Sequence, residues 1–259
     1  MKFLEHHYGP NVHILNSSFA NGVLAQLCSP NTFQPQVNSL VETLYKILLT
    51  TVLDKEFTHI KTETETRMSQ THPDCKLITT QIENSQKCIV VNLARAGTWP
   101  SHLCYENLHF ALKPENIRQD HIFAARVTNP DHHVTGAELG MSKIGGGKDK
   151  SIVLIPDPMG ATGSTVISAL DYYKSKVEGQ AVKFIAMHLI ITPEYLKNVL
   201  KKHPDLCIFA LRLDRGLSTK AALNAVPGTI WEEEKGLNAN DYIVPGGGGF
   251  GEIMNNAFV

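Results

Sequence analysis

Residues 152–170 read IVLIPDPMGATGSTVISAL. A continuous apolar run, an acid, a loop of small residues and a helix-forming stretch follow one another without a gap. The run Ile152–Ile155 fits a strand covered on both faces. Ala161-Thr162-Gly163-Ser164-Thr165 is small enough for its backbone N–H groups to face a phosphate. The helix expected from about 163 to 177 adds unpaired N–H donors and the positive end of its dipole. The hydroxyls of Thr162, Ser164 and Thr165 are further donors. Asp157, at the strand end, is placed to accept from sugar hydroxyls. No Lys follows the glycine, so this is not a Walker A loop, and it is not GxGxxG. The plain alternative is a strand-to-helix turn with an ordinary Ser/Thr cap. That needs one hydroxyl residue and not the whole run.

Outward from this segment the pattern repeats. CIVVNL (88–93) and HIFAARV (121–127) read as strands before it, with a helix at 101–112 between them. VKFIAMHLII (182–191) and LCIFALRL (206–213) read as strands after it, with a helix at 193–202. A further helix at 37–54 carries a stripe at Leu40, Leu44, Leu48 and Val52. Short apolar strands alternating with helices predict an α/β fold, a parallel doubly wound sheet of about five strands with its ligands at the carboxyl ends. Residues 1–36 read as irregular and 128–150 as a long loop or hairpin. The Gly-rich tail, with GGGG at 246–249, is either a disordered end or a loop whose backbone approaches a ligand. No repeat or linker divides the chain, so one domain over 1–259 is expected.

Composition excludes several classes. The net charge of −1 argues against a nucleic-acid partner or a polycationic membrane binder. No apolar run suits a signal peptide or a membrane span. The five cysteines form no CxxC pair, which fits a reduced, cytoplasmic protein without structural disulfides. The histidines cluster only at His6–His7 and His132–His133, and no zinc site is expected.

The 157–165 segment resembles the PRPP-binding motif of type I phosphoribosyltransferases, in the DPM-x-ATG-[GS]-[ST] form of uracil phosphoribosyltransferase. LARAG (93–97) looks like that family's diphosphate loop. GLNANDYIVPGGGGFGE (236–252) looks like its uracil-binding segment. The resemblance implies that Arg95 and Asp157 act on the donor at the reacting centre. Arg95, Arg126, Asp157, Pro158, Met159, Gly160, Ala161, Thr162, Gly163, Ser164 and Thr165 would bind PRPP. Ile243, Gly248 and Phe250 would contact the base, read largely by the backbone of Tyr242–Gly246. It implies a mobile hood over 128–150, where His132 and His133 are either diphosphate ligands or solvated. It implies magnesium carried on the PRPP diphosphate with no side-chain metal cage, and a homo-oligomer, at least a dimer.

The sequence departs from that pattern at one point of consequence. The family's GD-x-GD reads Gly248-Gly249-Phe250-Gly251-Glu252, so an acid is lost at 249 and a bulky ring stands at 250. About twenty extra residues (217–235) also precede GLN. Three readings stay open: formation of UMP and diphosphate from uracil and PRPP, a homologue that binds PRPP or a nucleotide without turnover, and transfer to a different base.

Overall fold

A computed structural model describes residues 2–128 and 134–258 of the chain. The strands are β1 (Val12–Ile14), β2 (His59–Thr64), β3 (Leu77–Ile82), β4 (Lys87–Ala94), β5 (Ile117–Thr128), β6 (Val134–Lys143), β7 (Ser151–Pro156), β8 (Met159–Gly160), β9 (Lys183–Ile191) and β10 (Cys207–Leu213). The helices are α1 (Ser18–Leu27), α2 (Gln36–Glu56), α3 (Thr98–Leu108), α4 (Ser164–Lys176), α5 (Pro193–Lys202), α6 (Lys220–Asn224) and α7 (Phe250–Ile253).

The main sheet runs β1-β10-β9-β7-β4-β5-β6, with β8 alongside β9. All of its pairings are parallel except β5 with β6. The five expected strands are β4, β5, β7, β9 and β10. The residues of β4, β7, β9 and β10 are mostly buried on both faces because helices cover both. Leu44, Leu48 and Val52 of α2 and Leu103 of α3 pack on one face. Val166, Leu170 and Tyr173 of α4 and Leu196 and Val199 of α5 pack on the other.

The order of those five strands has a functional consequence. In chain order they lie second, first, third, fourth, fifth across the sheet. The order therefore reverses between β4 and β7, and a crevice opens outside their carboxyl ends. Arg95 follows β4 and Asp157 follows β7, so the two expected ligands flank that crevice.

The N-terminal segment corrects the sequence reading. Residues 1–36 are not irregular, because β1 pairs in parallel with β10 and α1 packs beside α2. Three residues are too few to show a strand period. Asn21 and Gly22, poor helix formers, lie inside α1. That helix is held by Ala20, Val23, Leu24 and Leu27 on its buried side and by Ser17, whose hydroxyl accepts from the Ala20 amide at 3.3 Å. The β2–β3 ribbon, mostly exposed, stands apart from the main sheet.

Residues 134–143 form the return strand of a hairpin with β5, as one of the two sequence alternatives has it. Its root is fixed by the buried Asp120, which accepts from Arg118 at 3.0 Å, from the Tyr173 hydroxyl at 2.7 Å and from the Gly145 amide at 2.8 Å. The extra 217–235 stretch is tied down by Arg215. That side chain pairs with the buried Glu234 at 2.8 Å and donates to the carbonyls of Ala222, Leu223 and Ala225. Tyr8 donates to the same Glu234 and meets Trp231 edge-on, so the stretch closes over the N-terminal residues.

Candidate active site at the carboxyl ends of β4 and β7

A cavity of about 460 Å³ fills the crevice. It gathers three segments that lie far apart in sequence: Leu93–Ala96, Asp157 with Met159–Val166, and Asp241–Ile243 with Gly248–Glu252. Arg95, Asp157, the 159–165 loop, Ile243, Gly248 and Phe250 all line it. Pro158 is buried behind the wall, where its carbonyl accepts from the amides of Leu189 and Ile190 at 3.0 and 3.1 Å. Arg126 lies on β5 opposite Ala137. Its side chain, like His132 and His133 as whole residues, falls outside the described residues.

The 159–165 loop owes its shape to hydrogen bonds made on its outer side. The Gly160 carbonyl accepts from the Thr192 amide at 3.1 Å and the Ala161 carbonyl from the Thr192 hydroxyl at 2.7 Å. The Thr162 carbonyl accepts from Asn198 Nδ2 at 3.0 Å. A trans peptide plane points its C=O and the following N–H in opposite directions. Carbonyls 161 and 162 are drawn toward β9 and α5, so the amides of Thr162 and Gly163 turn toward the cavity. Gly163 opens α4 with φ of +84°, and a Cβ there would lie 2.5 Å from Val199 Cγ2. Only glycine satisfies both the turn and the approach of α5. The Thr162 and Ser164 hydroxyls lie 3.1 Å apart at the mouth of the helix.

The C-terminal segment is a tight hairpin with its own clamp. Leu237 and Ile243 form an antiparallel bridge. The Asn238 amide donates to the Tyr242 carbonyl at 2.9 Å and the Val244 amide to the Gly236 carbonyl at 2.8 Å. The Val244 carbonyl accepts from Gly216, and the Tyr242 amide donates to Asn238 Oδ1. Asp214, buried and bidentate with Arg212 at 2.6 and 2.8 Å, accepts from the Gly246 amide at 2.8 Å. This narrows the expectation that Tyr242–Gly246 present their main chain to a ligand, because the groups at 242, 244 and 246 serve inside the protein. Ile243 is the non-hydrogen-bonded member of its bridge, so its own N–H and C=O point away from Leu237. Its carbonyl lies over Gly246, where a Cβ would meet it at 2.1 Å, so the Ile243 N–H is the main-chain group this hairpin leaves for the cavity.

A sequence profile described as Uracil phosphoribosyltransferase matches residues 14–230. The chain belongs to that family. The uracil phosphoribosyltransferase of Thermococcus kodakarensis is 32% identical over 104 residues, which is 40% of this chain and 43% of that protein. The one from Fervidobacterium nodosum is 36% identical over 106 residues, 41% of this chain and 40% of that protein. The chain thus spans less than half the length of these curated relatives. Among solved structures, the AQ2163 protein of Aquifex aeolicus superposes with a TM-score of 0.71 over 96% of this chain and 99% of its own. At 20% identity that likeness speaks for the fold alone.

In this member of the uracil phosphoribosyltransferase family the site is braced by residues that sequence reasoning did not find. His188, fully buried on β9, lies between the Asp157 carbonyl (Nδ1, 2.5 Å) and the Tyr195 hydroxyl (Nε2, 2.6 Å). A carbonyl only accepts, so Nδ1 carries the proton and Nε2 accepts from Tyr195. Burial pulls the His188 pKa down to about 4, opposed by that backbone bond, and the ring is neutral. Burial likewise drives Tyr195 well above the usual tyrosine range, with the Asp157 charge adding to it. Asn198, Thr192, Asp214 and Arg212 also went unread. Each contacts its partner from 31 or more residues away, except the Arg212–Asp214 pair, which the sequence shows only as R-x-D.

Proposed function

We propose that this chain transfers the 5-phosphoribosyl group of PRPP to a pyrimidine base, with uracil the base and UMP and diphosphate the products. The observation that carries the reading is the single cavity at the β4/β7 crossover, where the LARAG, DPMGATGST and YIVPG segments converge. A base nitrogen attacks C1 of the ribose, the C1–oxygen bond to diphosphate breaks, and the nitrogen's proton leaves.

Each wall suits one part of the donor. The inward amides of Thr162 and Gly163, the hydroxyls of Ser164 and Thr165 and the α4 N-terminus suit the 5-phosphate. Asp157 suits the ribose hydroxyls. Arg95 forks onto diphosphate oxygens and takes up charge as the leaving group forms. Ile243 offers its main-chain N–H to the edge of a base, with Phe250 and Gly248 beside it. No nucleophilic side chain is needed, since the work is positioning and electrostatic stabilisation.

Magnesium fits the donor set of this cavity. The carboxylates of Asp157 and Glu252 are hard oxygen ligands, and magnesium prefers substrate phosphates and water to a complete protein cage. When bound it would neutralise diphosphate charge. Family resemblance further supports a homo-oligomer.

A second reading, binding without turnover, is favoured by one feature. Gly249 supplies no carboxylate where the family pattern has one. Incubation with PRPP, magnesium and uracil, with UMP quantified, separates the two. UMP formation establishes the transferase. Thermal stabilisation by PRPP without UMP from uracil, or the corresponding nucleotide from any other pyrimidine, would overturn the enzymatic reading, and no response to PRPP would overturn the site itself.

A further inference from the structure

The glycine at 249 has a structural counterpart three residues on. A Cβ built on Gly249 would lie 1.9 Å from Oε2 and 2.9 Å from Cδ of Glu252. The Glu252 carboxylate therefore occupies the space where any side chain at 249 would begin. The main chain enforces the fold-back, since the Glu252 amide donates to the Gly249 carbonyl at 3.1 Å. Gly249 itself has φ of −83° and ψ of 94°, which an alanine adopts without strain. Its lack of a side chain is thus a matter of space and not of backbone conformation.

The place that carboxylate takes is inside the cavity. Glu252 lines it together with Gly249, Phe250 and Arg95. Its Oε1 lies 3.7 Å from Arg95 Nη2, an ion pair too long to be a hydrogen bond, with both side chains partly open to solvent. Arg95 is held near neutral balance yet free to turn onto a stronger anion. In a phosphoribosyl donor the sugar joins diphosphate at C1, the atom the base attacks. Glu252 shares the cavity wall with Arg95 and Gly249, so a sugar joined to a diphosphate on Arg95 would come within its reach.

We infer that Glu252 is a substrate-binding residue that accepts from the ribose hydroxyls of the donor, and that Gly249 is what admits it. The inference rests on the phosphoribosyl reading. When diphosphate takes Arg95, the Glu252 carboxylate is released toward the sugar. The lost side chain at 249 is then an exchange of geometry and not the loss of the site's acid.

A mutant cycle tests this by calorimetric binding of PRPP with magnesium, which does not depend on the acceptor base. Glu252→Ala removes the carboxylate and weakens PRPP about tenfold, the usual scale for a hydrogen bond to a charged group. Gly249→Ala displaces it and weakens PRPP to a similar extent. In the Glu252→Ala background, Gly249→Ala has no further effect, because there is no carboxylate left to displace. Wild-type affinity in either single variant, or losses that multiply in the double, would overturn the inference while leaving the phosphoribosyl reading intact. Should Gly249→Ala not fold alone, the same substitution in the Glu252→Ala background decides: folding and unchanged affinity there support the inference, and misfolding there overturns it. Wild-type protein that binds no PRPP overturns both.

Discussion

Arg95 stands 39% exposed in its side chain at the end of β4 and contributes little to the core. Its replacement separates binding from stability. Arg95→Ala is expected to weaken PRPP by tenfold or more while moving the melting temperature by no more than about 2 °C. Arg95→Lys should restore little, because an ammonium is a point charge and cannot fork onto two oxygens. Calorimetric titration beside a thermal melt checks this. A lysine variant with wild-type affinity would show that charge alone suffices there. At this scale the candidate site was half legible. Asp157 to Thr165 could be read because strand end, loop and helix start are contiguous, and Arg95 because small residues surround it. His188 and Thr192 could not, because a buried polar residue in or after an apolar strand looks the same whether or not it holds a distant carbonyl, and Asn198 could not, because an exposed helical Asn looks like any surface residue.

Gly163 carries its significance at the scale of the element. It joins β8 to α4, its φ is left-handed, and α5 packs against it through Val199. Gly163→Ala combines an unfavourable backbone with an overlap, so a destabilisation of about 2–4 kcal/mol is expected. PRPP binding should fall further than stability alone implies, because the Thr162 and Gly163 amides lose their aim. Denaturant melts with and without PRPP measure both effects. Equal stabilisation of variant and wild type by PRPP would show that the loop does not depend on this glycine. The elements were legible unevenly for physical reasons. The strands β7, β9 and β10 match their apolar runs closely because burial on both faces leaves few polar interruptions, His188 in β9 and Arg212 in β10 among them. β1 gains its place only by lying beside β10, and α1 only by burying four residues against α2. The β2–β3 ribbon has no apolar face to advertise, being exposed along most of its length.

Over the whole molecule, several wholly or partly buried histidines have lowered pKa values, and acid should unfold the protein through them. His188 has a pKa near 4, lowered by burial. His13, on the edge strand β1 two strands from β9 and beside Glu56, is also lowered to about 4, by burial and then by Lys55. His6 and His203 are shifted down too, each chiefly by burial. The ordinary value is 6.5, so as the pH falls the unfolded chain takes up these protons before the folded one does. The stability involved is fully present above about pH 6.5 and is lost progressively toward pH 4. For His188 alone the difference amounts to about 3 kcal/mol. Urea titrations at pH 7.5, 6, 5 and 4.5 should show unfolding free energy falling steadily through that window. In His188→Gln the fall should be shallower, since the amide can donate to the Asp157 carbonyl but cannot titrate. A flat profile, or an unchanged slope in His188→Gln, would mean that the ring is already charged in the folded protein. Because the same ring holds the Asp157 carbonyl, the PRPP affinity of the folded protein should decline only as the pH approaches 4, where the folded ring itself takes up a proton, and the glutamine variant should lack that decline.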